Sequence, residues 1–202
     1  MSGADKVKEA IREAYAAFAD VPPPERLRAP GYRKPEQLLA DLTRTPLAEL
    51  SQDVLGPYAS WAMTTVGDAD AYRRFLPRIL EWSVRNDHSY HGLEPEMIAG
   101  KVRLANWRTW PDRQQRAVLA VLIAAFEADW SKENGQSGAW LCGLAMLGQP
   151  MRCHLDAWAA SSGGAESLER FRGSWHAGQG FWEDAEFDAV AEVQDWLRRK
   201  AD

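Results

Sequence analysis

Few side chains in this chain could do chemistry, and they are scattered. His88 and His91 sit three apart in Asp-His-Ser-Tyr-His. Such a pair can give two nitrogens to zinc, but a protein zinc site needs three or four ligands. No Cys-x-x-Cys or His-Glu-x-x-His accompanies it. The pair reads as two loop histidines; joined by Asp87 or Glu94, it would instead support a metal-assisted hydrolase. Cys142, Cys153 and His154 are the other nucleophile-and-base candidates. Cys153 and His154 are adjacent, so a helix would point them about 100° apart. Cys142 stands among Trp140, Leu141 and Leu144 and reads as a buried thiol. Gly163-Gly164 before a helix suits an anion superficially, but lacks the strand and lysine of a phosphate loop. It reads as a flexible turn. No catalytic residue, metal ligand set or cofactor site is assigned.

One constellation suits recognition better than catalysis. Arg103, Arg108 and Arg113 flank Trp107 and Trp110. Guanidinium groups stack on indole faces, and both residue types are enriched at binding hot spots. These five are the candidate partner-binding residues. The plain alternative is packing, since ten tryptophans can fill the gaps between helices. An acidic run, Glu183, Asp184, Glu186, Asp188, Glu192 and Asp195, reads as a solvated helix face.

The elements that carry these residues are helical. Lys6 to Ala19 repeats apolar residues at steps of three and four. Prolines then interrupt the chain from Pro22 to Pro35, where Pro35 opens a short helix through Leu42. Thr45-Pro46 predicts another helix start, and Pro57 predicts a kink or break further on. Asp68 caps a helix striped by Tyr72, Phe75, Leu76, Ile79 and Leu80; Pro77 leaves one helix or two equally open. Glu94-Pro95 and Trp110-Pro111 open the next two. Ala117 to Phe126 is apolar on nearly every side, so Val118, Leu119, Leu122, Ile123 and Phe126 are the expected core centre. Helices at 139–147, 151–160, 166–175 and 183–200 follow. Phe187, Val190, Ala191 and Leu197 are expected to face inward on the last. No strand alternates convincingly. The expected fold is all-α: an irregular helical bundle or a short α-solenoid of stacked hairpins, spanning residues 1–202 as a single domain with a possible sub-boundary near 131–138.

Two stretches carry a resemblance. Met63 to Asp68 with Tyr72 to Glu81 (Tyr-Arg-Arg-Phe-Leu-Pro-Arg-Ile-Leu-Glu), and Leu104-Ala105-Asn106-Trp107-Arg108-Thr109-Trp110-Pro111, resemble a family of bacterial all-helical proteins without an assigned activity. The resemblance covers roughly residues 10 to 130 and implies a helical fold. It transfers no catalytic residues. Members often carry a cysteine cluster after the proline segment, whereas Ala29 to Lys34 holds none.

Composition narrows the function further. A net charge of −5 and a pI near 5.5 argue against nucleic acid as partner. The two cysteines form no disulfide framework, and the first residues do not read as a signal peptide. The ten-residue apolar run is too short to span a bilayer, which takes about 20 residues. The expectation is a cytoplasmic, non-catalytic interaction protein, a scaffold, adaptor or inhibitor, whose partner is another protein.

Overall fold

The structure, a computed structural model, describes residues 2–85, 90–132, 135–176 and 179–199. Within them the chain is all-helical. Ten α-helices follow one another: α1 Gly3–Ala17, α2 Pro35–Thr43, α3 Gln52–Trp61, α4 Ala69–Val84, α5 Pro95–Leu104, α6 Asp112–Asp129, α7 Ser137–Met146, α8 Met151–Ala160, α9 Ala165–Ser174 and α10 Phe187–Arg199. Short 3-10 turns at Gly31–Arg33, Leu47–Glu49, Trp107–Thr109 and Gly180–Asp184 join them. The bundle is organised around α6, whose Val118, Leu122 and Phe126 are buried as expected. Leu119 and Ile123 are only partly covered, because α6 has its outer side toward solvent.

Small residues set the closest contact. α1 lies along α6 on Ala10, Ala14 and Ala17, all buried. At its start a Cβ on Gly3 would come within 3.2 Å of the Ala128 backbone. α7 packs between α5 and α6, and α10 packs on α8. α1 is fixed at its start by a reciprocal cap: Ser2 Oγ accepts from Asp5 N, and Asp5 accepts from Ser2 N. Asp68 caps α4 by accepting from Ala71 N at 3.0 Å.

Several expectations are corrected. Thr45-Pro46 opens only the 3-10 turn Leu47–Glu49, and α3 begins at Gln52. Pro57 lies inside α3 and Pro77 inside α4, and neither divides its helix. Each proline removes one helical N–H, at a cost of about 3 kcal/mol. In α4, five apolar side chains from Tyr72 to Leu80 are buried on both sides of Pro77. At about 1.5–3 kcal/mol each, their burial exceeds that cost. The Pro77 region is therefore not a junction between helices, but Arg78 does satisfy a carbonyl there. Its Nε donates to Leu50 O at 2.8 Å. The buried stripe of α10 is Ala189, Val193 and Trp196. Phe187, expected inside, is 84 % exposed.

Candidate functional site

The five sequence candidates separate. Trp107 and Trp110 are each 5 % exposed and belong to the core. α5 ends at Ala105, and Asn106 takes a left-handed conformation (φ 53°) that turns the next residues inward. Trp110 Nε1 then donates to Ala105 O at 3.1 Å. Its ring meets Phe18 edge-on at 5.8 Å, and the Arg73 guanidinium lies 5.4 Å from its centre. The Trp110 indole thus joins the end of α1 to α4, and with both rings buried neither offers a stacking face to a partner. Arg113 also reaches the end of α1. Its Nε donates to Ala17 O at 3.1 Å, and the guanidinium pairs with Asp20.

Arg103 and Arg108 remain at the surface and form a seam with residues 180–187. Arg103 donates to Asp184 O and lies 4.0 Å from its carboxylate. Arg108 pairs with Glu186 at 3.7 Å. The C-terminus of α7 lies beneath this seam. Gly148 closes α7 in the left-handed region (φ 71°), and a Cβ there would come within 2.8 Å of Arg108 Nη2. Glycine thus serves both the helix end and the passage of the arginine. Glu186 N also donates to Ala145 O at 3.4 Å.

Two large apolar side chains flank the same seam. Leu104, next to Arg103, is 63 % exposed; Phe187, next to Glu186, is the 84 % exposed residue already noted. Sequence reasoning missed both. The available signal was angular: Leu104 is two residues after Val102, and Phe187 two before Ala189. At about 100° per residue, each points roughly 200° from its helix's buried stripe.

Among the described residues the catalytic candidates are not assembled. Asp87 and His88 lie outside the described residues. His91 is almost fully exposed and contacts Glu94 at 3.0 Å through Nδ1. The Glu94 carboxylate also accepts from Gly92 N. Burial would raise its pKa, but these hydrogen bonds outweigh it and hold the group below its usual range. Among the described residues no three His, Cys, Asp or Glu side chains come together to hold a metal ion. Cys142 is buried, and burial pushes its thiol well above the ordinary range, opposite to what a nucleophile needs. Cys153 is exposed, and its thiol contacts Pro150 O. His154 packs its ring against Phe126, and burial lowers its pKa. Gly164 has a packing reason, since a Cβ there would fall 2.9 Å from Trp158 O.

The acidic run is more than a solvated face. Asp184 and Glu186 form the seam, and Glu192 accepts from Met151 N at 2.6 Å and Arg152 N at 3.1 Å. It thereby caps α8 from another helix. Among the described residues no helix is long and apolar enough to cross a membrane. Comparison with protein families, curated proteins and solved structures gives no match.

Proposed function

We infer that this chain is a non-catalytic interaction protein, an adaptor or inhibitor, and that it meets a partner protein at the seam joining α5, α7 and residues 180–187. One observation carries the reading: Leu104 and Phe187 stand exposed next to Arg103 and Glu186, members of the two ion pairs that join their elements. A single exposed apolar side chain is ordinary, but two at one junction are not scattered. Burying a phenylalanine and a leucine against a partner is worth about 1.5–3 kcal/mol each. Arg103 and Arg108 supply the polar rim usual around such a patch.

The test is affinity capture from the source cell lysate, read by mass spectrometry, with the native chain and with Leu104→Glu/Phe187→Glu. Both side chains are exposed, so the variant keeps its helical circular dichroism and melting temperature. A stoichiometric protein held by the native chain and lost by the variant supports the reading. A protein held equally by both moves the interface elsewhere, and no partner for the native chain removes the interaction reading. Near one equivalent of metal in a partner-free sample would favour the hydrolase alternative built on His88 and His91.

A further inference from the structure

A second surface lies away from the seam, between α1, α4 and the end of α6. α1 and α4 run antiparallel and are tied at one place, where Tyr15 Oη donates to Glu81 at 2.6 Å. Beyond that tie they part, and a groove of about 550 Å3 opens along them to Ala128 and Lys132. Its volume falls in the range of small-molecule sites, about 300–1,000 Å3. Its apolar walls are aliphatic throughout: Ala4, Val7, Ile11, Val84 and Ala128. Among the described residues no ring lines it for an aromatic ligand to stack on, and a flexible hydrocarbon chain fits such walls.

The charge around this groove is opposite to that of the whole protein. Lys8, Arg12, Arg85 and Lys132 line it, in a chain of net charge −5. Among the described residues Glu81 is the single acid lining it, and it is already engaged. It accepts from Tyr15, from Arg78 at 2.6 Å and from Arg85. Burial would raise its pKa, but those hydrogen bonds and the two guanidinium charges hold it low. Arg12 pairs outward with Glu9, and Lys132 with the buried Asp129. Lys8 makes no ion pair among the described residues, so its charge is available to a ligand.

The geometry points to a binding site for one long-chain aliphatic carboxylate, its hydrocarbon tail along Val7, Ile11 and Val84 and its anionic head at Lys8 and Arg12. Each methylene buried in such a groove strengthens binding about fourfold, and the cations distinguish an anionic head from a cationic one. The site is separate from the seam and does not depend on it.

Isothermal titration of the full chain with dodecanoate, below its micelle concentration, tests this directly. One molecule binds per chain, and octanoate binds at least tenfold more weakly. Dodecyltrimethylammonium, with the same tail and the opposite charge, also loses at least tenfold. Lys8→Glu/Arg12→Glu, both exposed positions, lowers dodecanoate affinity tenfold or more, and Ala4→Trp, which fills the groove from its exposed edge, abolishes binding. Leu104→Glu/Phe187→Glu leaves it unchanged. The proposal is overturned by absence of binding at millimolar dodecanoate, by several molecules binding irrespective of the groove variants, or by equal binding of the cationic amphiphile.

Discussion

Lys101 shows what one buried charge does here. Its side chain is almost entirely buried, and Nζ donates to Ala59 O and, at 3.1 Å, to Ser60 O. These carbonyls lie in the last turn of α3, which carries no basic residue of its own. A lysine from α5 therefore serves as the cation at that helix end. Burial brings its pKa down from 10.5 to about 8. Between those two values the unfolded chain holds a proton that the folded chain has released, so stability rises with pH across that window. The gain from this group is about 3 kcal/mol. Urea denaturation from pH 7.5 to 10.5 should show it as a difference between the native chain and Lys101→Met, whose profile lacks that rise. Comparing the two chains also removes the opposite contribution of Tyr15, Tyr58 and Tyr72, whose pKa values burial raises. At this scale sequence was partly informative. The apolar neighbours of Cys142 announced its burial, but nothing beside Lys101 announces that two carbonyls forty residues away will receive it.

At the scale of elements, helix ends are where distant residues matter most. α8 begins after Pro150 without a side-chain cap from its own N-cap residue. Glu192 of α10 supplies the acceptor. Glu192→Ala should cost about 1–2 kcal/mol and speed hydrogen exchange at the Met151 and Arg152 amides relative to those in α6. Unchanged exchange there would show that the carboxylate does not hold the turn. The helices themselves were legible from periodicity, and α2, α5 and α6 begin where a proline predicted. Thr45-Pro46 opened only a 3-10 turn, Pro57 did not divide α3, and the alternatives left open at Pro77 resolved to one helix, because local proline rules ignore what neighbouring helices bury. The α10 stripe was misread for a related reason. Leu197 does pack against the core, but the buried stripe is Ala189, Val193 and Trp196, where α10 meets α8, and Phe187 faces out.

For the whole molecule, the tryptophans decide how the bundle is joined. Trp110 connects α1 through Phe18, α4 through Arg73 and the end of α5 through Ala105. Trp110→Ala should remove about 3–5 kcal/mol, visible as a lower urea midpoint, while an exposed-surface role would leave the midpoint near that of the native chain. Composition and spacing could nominate Trp107 and Trp110 but could not orient them. That depended on Asn106 adopting its left-handed turn, which an asparagine after a helix end favours but does not by itself dictate.

The seam has a further consequence for the time at which the proposed interface exists. Arg103 reaches a carbonyl 81 positions later in the chain. Closing so long a loop has an entropic cost that grows with its length, and during translation residue 103 leaves the ribosome well before residue 184 is made. α1 to α6 can begin to condense while the strip that displays Leu104 and Phe187 still lacks its second half. Both side chains stand on this frame once residues 180–187 have been made and joined to Arg103 and Arg108, so a partner at the proposed interface would distinguish copies that carry this strip from nascent or truncated ones that lack it.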